Sequence, residues 1–191
     1  MVLGNYSDLY QYNAYLLDGH TVHWSSTTIP VFGATGGGWR KAIKRWPIVN
    51  FGFVSTKPAR EIHIMGYDDL GNICGLASFA YDSAGALELC TVKVNMFYDD
   101  MNCTRVTSTI THEIGYCIGV FKHTADGGLI DENANGSREI TSTVTVMLGL
   151  LYTIAPGTDI CDELLARCSG STHIMSRYQA DGGKWYSHSW N

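Results

Sequence analysis

The chain has 191 residues, 45% of them hydrophobic and 12% aromatic, with a net charge of −5; this suits one folded domain and excludes disorder as the default state. Charged residues make up only 16% and form no basic block, so the electrostatic footprint of a nucleic-acid binder is missing. No apolar stretch approaches the roughly 18 residues of a membrane span; the longest, Val144 to Ile154, is short and contains Tyr152 and Thr153.

In chain order, Met1 to Gln11 is polar and aromatic, with neither the basic nor the apolar region of a signal peptide. Thr21 to Trp24 and Thr28 to Phe32 read as short strands, and Gly36-Gly37-Gly38 breaks the chain after them. Trp39, Ala42, Ile43 and Trp46 then fall at i, i+3, i+4 and i+7, a helical apolar stripe with Arg40, Lys41, Lys44 and Arg45 on the solvated face. Pro47 ends this helix. Asn50 to Val54, Glu61 to Met65 and Ile73 to Tyr81 read as strands. Leu89 to Phe97 alternates cleanly, Cys90, Val92, Val94 and Met96 against Leu89, Thr91, Lys93 and Asn95. Thr104 to Gly119 is the second long helix, with Ile110, Ile114, Cys117 and Ile118 on one face and Gly119 at its C-terminal stop. From His123 to Glu139 the chain is polar and Gly-rich, a long loop or several turns. The order implies an α+β single domain with an upper lobe over about 20–119 and a loop-rich lower lobe over about 120–191.

Six cysteines, Cys74, Cys90, Cys103, Cys117, Cys161 and Cys168, are irregularly spaced without a C-x-x-C pair. Zinc-knuckle and thioredoxin patterns therefore fail, and the even count favours a secreted, disulfide-bonded chain whose leader and any pro-segment are already removed. Sequence does not choose among about 15 pairings; Cys161 and Cys168 are near enough to close a local loop. Six buried thiols in a cytosolic protein is the alternative. Triplets of the N-x-S/T type at Asn5, Asn102 and Asn135 carry meaning only in a glycosylating host.

The chemistry-bearing stretch runs from Thr111 to Thr124. Metal-dependent peptide hydrolysis on a helix needs two ligands four residues apart, a glutamate beside the first to take a proton, a glycine that turns the chain, and a third ligand beyond it. His112, Glu113 and Gly119 keep the register of H-E-x-x-H-x-x-G-x-x-H. Position 116, where a histidine belongs, is Tyr116; position 122 is Lys122, and His123 follows one residue late.

This stretch resembles the HEIGH metallopeptidases of the metzincin class. Ile154 to Thr158 is similar to the segment preceding that family's Met-turn, and Ser171 to Met175 to the turn itself, with Met175 as its methionine. Gly75-Leu76-Ala77 resembles the substrate-side edge strand, Val92 to Met96 its neighbour, and Trp39 to Asn50 the helix that opens the fold. The resemblance spans about Trp24 to Tyr178. The family closes with a C-terminal helix, for which Asp181-Gly182-Gly183 and an aromatic tail are a poor start.

The resemblance implies a twisted mixed sheet with an active-site helix and a Met-turn in the lower lobe. It implies zinc as cofactor, His112 and His123 as ligands with Tyr116 at the second ligand position, and Glu113 as general base. A peptide or protein substrate would lie along Gly75 to Phe79. A phenol ordinarily titrates near ~10, so Tyr116 binds a metal only after losing its proton. A zinc endopeptidase weakened at this position is one expectation. A pseudoenzyme that holds a peptide or protein partner without cutting it is the second, and a disulfide-stabilised domain with no cleft function the third. His20, His23, His63, His173 and His188 read as surface or hydrogen-bonded histidines, and Asp126 as a loop carboxylate rather than a substitute ligand. Oligomeric state and substrate preference have no sequence signal.

Overall fold

The computed structural model describes residues 4–33, 36–67, 70, 73–96, 106–131, 139–161, 178–180 and 183–190. Its frame is a mixed sheet flanked by helices, an α+β architecture. The elements are α1 (Gly4–Tyr12), β1 (Thr28–Gly33), α2 (Gly37–Ile43), β2 (Asn50–Phe53), β3 (Glu61–Tyr67), β4 (Gly75–Tyr81), β5 (Leu87–Asn95), α3 (Val106–Cys117), α4 (Ser142–Leu151), β6 (Tyr178–Ala180) and β7 (Gly183–Trp190). The strand order is β2-β1-β3-β5-β4-β7-β6. Strands β2, β1, β3 and β5 run parallel, β4 runs antiparallel to β5 and β7, and β6 pairs antiparallel with β7.

The alternation read for β5 is realised from Leu89 to Val94 and breaks at its end, where Asn95 is buried and Met96 exposed. Cys90, Val92 and Val94 are buried, whereas Leu89, Thr91 and Lys93 are half-buried. Ile29 and Val31 of β1, with Ile62 and Ile64 of β3, continue the same core. Residues two apart share a face of the pleat, so these pairs form one apolar surface for the helices. Helix α3 packs on β4 and β5, and α2 packs beside α3. The Trp46 indole N–H donates to the Thr111 carbonyl at 3.0 Å, and the Thr111 hydroxyl donates to the Ala42 carbonyl at 3.2 Å. These two bonds fix α3 against the end of α2. Gly115 allows the approach, because a Cβ there would lie 3.0 Å from Trp46 and 2.6 Å from Ile130.

Four expectations change. Thr21 to Trp24 is not a strand; it contributes one bridge, His23 to Ala86, while Asn13 holds both backbone groups of Val22. The polar N-terminus carries α1, a helix ahead of the one expected to open the fold. The stretch expected to be loop-rich contains α4, capped by the Thr141 hydroxyl accepting from the Val144 N–H. Helix α4 buries Val144, Met147, Leu148 and Leu151 and packs against α1. Finally, β4, with Gly75, Leu76 and Ala77, is not an edge strand. Strand β7 pairs with it along its whole length, from Gly75 opposite Trp190 to Tyr81 opposite Lys184. The aromatic tail, unsuited to a helix, satisfies its backbone in the sheet instead.

A disulfide joins Cys90 of β5 to Cys117 at the end of α3. Cys74 and Cys161 are also disulfide-bonded, and no described cysteine is a free thiol. No described helix is long and apolar enough to cross a membrane.

Candidate active site

Helix α3 presents His112, Glu113 and Tyr116, all fully buried. Residues four apart lie one above the other on a helix, and the Tyr116 hydroxyl reaches to 3.1 Å from His112 Nε2. On its other side, His112 Nδ1 lies 2.6 Å from the Leu129 carbonyl. A carbonyl only accepts, so Nδ1 carries the proton and Nε2 keeps its lone pair. The Tyr116 O–H therefore donates to Nε2. An imidazole held this way by a backbone carbonyl is prepared to offer Nε2 to a metal.

His123 joins the same cluster. Its ring centroid is 5.3 Å from that of His112 and 6.0 Å from that of Tyr116, while the His112 and Tyr116 rings are 5.2 Å apart. The register slip resolves through the turn that follows α3. Gly119 has φ +113, a conformation that disfavours a side chain, and a Cβ there would approach Leu151 to 2.7 Å. The chain beyond it exposes Lys122 and turns His123 inward to half-burial. Among the described residues no three His, Cys, Asp or Glu side chains form a metal-binding group; the Tyr116 phenol is the oxygen in hydrogen-bond reach of His112 Nε2.

Glu113 faces β4. A Cβ on Gly75 would lie 2.7 Å from Glu113 Oε1 and 2.6 Å from Thr109 Cγ2, so only glycine permits this close approach. Neither carboxylate oxygen makes a hydrogen bond of good geometry among the described residues. Burial pushes the Glu113 carboxyl well above the ordinary value of 4.5, and the nearby Ala77 backbone N–H offsets only part of this. A carboxyl so placed holds a proton far more readily than a solvated one.

The end of α3, where orphan carbonyls need partners, is pinned from outside the helix. The Cys117 carbonyl accepts from the Trp24 indole at 2.6 Å, the Ile118 carbonyl from the Tyr152 hydroxyl at 3.1 Å, and the Gly119 carbonyl from the Asn13 amide at 2.7 Å. The Phe121 carbonyl, just beyond, accepts from the Tyr15 hydroxyl at 2.7 Å.

Of the residues singled out from the sequence, His112, Tyr116 and His123 come together, and Glu113, next to His112 along α3, lies against Gly75 and Ala77 of β4. Met175 and His173 lie outside the described residues. Asp126 accepts hydrogen bonds from the hydroxyls of Thr124 and Thr141 and from the Gly128 N–H, a loop carboxylate as read. His23 is hydrogen-bonded to the Trp24 carbonyl at 2.8 Å. The Leu129 carbonyl, which orients His112, has no sequence signal because it is a backbone group brought in by a turn.

In comparison with known proteins, no family model matches the chain and no curated protein does.

Proposed function

We propose that the chain is a hydrolase of the metzincin type, acting on peptide bonds, with zinc held by His112, His123 and Tyr116 and with Glu113 as general base. The observation that carries this reading is the convergence of the three rings, with a buried carboxyl next along the helix. Zinc binds N and O donors at about 2.0–2.2 Å, which places two neighbouring donors of a tetrahedral site about 3.3 Å apart. The 3.1 Å between Nε2 and the phenol oxygen is near that edge. Two imidazoles sharing such a metal have centroids about 5.2 Å apart, against 5.3 Å here. Both distances are compatible with a shared tetrahedral metal, at the cost of the phenol's proton.

When bound, zinc supplies polarisation of the scissile carbonyl. The chain's own residues do the rest. Glu113 accepts a proton from the attacking water and returns it to the leaving amine, a role served by its raised affinity for a proton. The Leu129 carbonyl holds His112 in the productive tautomer. Strand β4 lies against Glu113 but is paired on both sides, by β5 and β7, so an extended peptide can pair with it only where one of these strands gives way.

A second reading has its own observation. In the absence of metal the phenol already satisfies His112, and His112, Glu113 and Tyr116 have no exposure at all. Those features suit a pseudoenzyme. Tyr116→His separates the two. Zinc content near one per chain and peptide hydrolysis in this variant, abolished by adding Glu113→Gln, are expected. Absence of both zinc and hydrolysis in Tyr116→His would sink the peptidase reading in favour of the pseudoenzyme.

A further inference from the structure

We infer that β7 is an in-cis occupant of the peptide-binding edge of β4, so that the chain holds its own extended segment where a substrate would pair. The inference rests on the function proposed above. Gly75, the residue against Glu113, lies in register with Val94 on one side and Trp190 on the other. The antiparallel pairing of β7 continues from there over the whole of β4, which is how an added peptide satisfies a sheet edge.

Three observations separate β7 from the rest of the sheet. Its far side is paired only at Gly183, Lys184 and Trp185, by the three-residue β6; beyond them it has no further strand among the described residues. Its sequence, Gly-Lys-Trp-Tyr-Ser-His-Ser-Trp, has no Val, Ile or Leu, unlike the aliphatic β1, β3 and β5 that form the core. The candidate base has no exposure, so a peptide reaches Glu113 only after something moves. Of the described elements bordering β4, β5 is paired on both sides and tied to α3 by a disulfide, whereas β7 is held by its pairing to β4 and the short β6. The held state is closed, and release of β7 opens the edge to a peptide in trans.

The test uses the full chain with Ser187→Pro and, separately, His188→Pro. Successive residues of an antiparallel strand aim their N–H groups to opposite sides, so one substitution removes a β4–β7 ladder bond and the other an outward N–H. Hydrogen exchange of 75–81, 106–117 and 183–190 is followed, together with fluorescence anisotropy of a labelled peptide of residues 183–190 added in trans. The expected result is exchange faster by about tenfold or more in 75–81 and 183–190 for one variant only, with 106–117 still protected. That same variant binds the added peptide about tenfold or more tighter than the unsubstituted chain, and binding restores protection to 75–81. Loss of protection in 106–117 together with 75–81 would show β7 to be part of the core and overturn the inference. So would an open β4 that fails to bind the peptide, or two variants indistinguishable from the parent. Peptide binding by the opened variant without hydrolysis of labelled casein in the Tyr116→His background would count against the peptidase reading while leaving this one standing.

Discussion

Tyr116→Phe isolates the contact on which the candidate site turns. The substitution keeps the ring and its packing and removes the hydroxyl that donates to His112 Nε2 at 3.1 Å, between two side chains with no exposure. Losing a donor to a buried nitrogen costs about 1–3 kcal/mol, because water cannot replace it. For a chain of this size each kcal/mol moves the melting temperature by roughly 2–4 °C, so in chelator the variant should melt about 2–12 °C lower. Zinc titration of the same protein gives the second reading of the same atom. If the phenol is a ligand, its loss lowers zinc affinity by more than the roughly 10–100-fold typical of an outer-shell partner. Differential scanning calorimetry with and without zinc measures both. A melting temperature unchanged within about 1 °C in chelator, with unchanged zinc affinity, would refute the contact and with it the role given to Tyr116.

Three further outcomes follow from the same geometry. Gly75→Ala places a methyl group 2.6 Å from Thr109 Cγ2 and 2.7 Å from Glu113 Oε1, and overpacking of this kind should cost about 1–3 kcal/mol in urea unfolding; a neutral result would mean that β4 does not lie against Glu113. Replacing Cys90 and Cys117 together by Ala opens a loop spanning 27 positions, and the lost constraint on the unfolded chain should cost about 3.5 kcal/mol, read from denaturation midpoints at equal slope. Burial lowers the His23 pKa below its ordinary 6.5, against weaker opposing hydrogen bonds to the Trp24, Ala155 and Ile154 backbone. The unfolded chain therefore takes up this proton first as pH falls, and stability drops between pH 6.5 and the folded-state pKa by at most about 1.4 kcal/mol per pH unit. His23→Gln should flatten that part of the profile, and parallel profiles for the two proteins would show that His23 titrates normally.

The parts legible in the sequence were those with a strong local period. The apolar stripe through Ala42, Ile43 and Trp46 and the alternation through Cys90, Val92 and Val94 each bury one face; the strand formed as expected, and the helix formed but ends at Ile43, short of Trp46 and Pro47. The His112 to Gly119 spacing was legible for the same reason, since one helical turn brings position 116 over position 112. Helix α4 was not, because Ser-Thr-Val-Thr-Val reads as strand and only packing against α1 overrides the β-branched preference. Strand β7 was hidden by composition. Its Trp, Tyr and Ser residues form neither an apolar run nor a clean alternation, and Asp181-Gly182, read only as a poor helix start, is also the residue pair that hairpins favour. Closure of His123 onto His112 was legible only as an allowance for one extra residue, since no local rule states how a turn absorbs it.

The bonds that pin the end of α3 have a kinetic consequence. They join residues 106, 93 and 34 positions apart in the chain, so the loops between them must close before the helix end gains its partners. The cluster of His112, Tyr116 and His123 is therefore assembled late, after residues 13–24 have met the turn near Gly119. An excised peptide covering 106–123 carries His112, Tyr116 and His123 without the long-range bonds that hold the end of α3 in place.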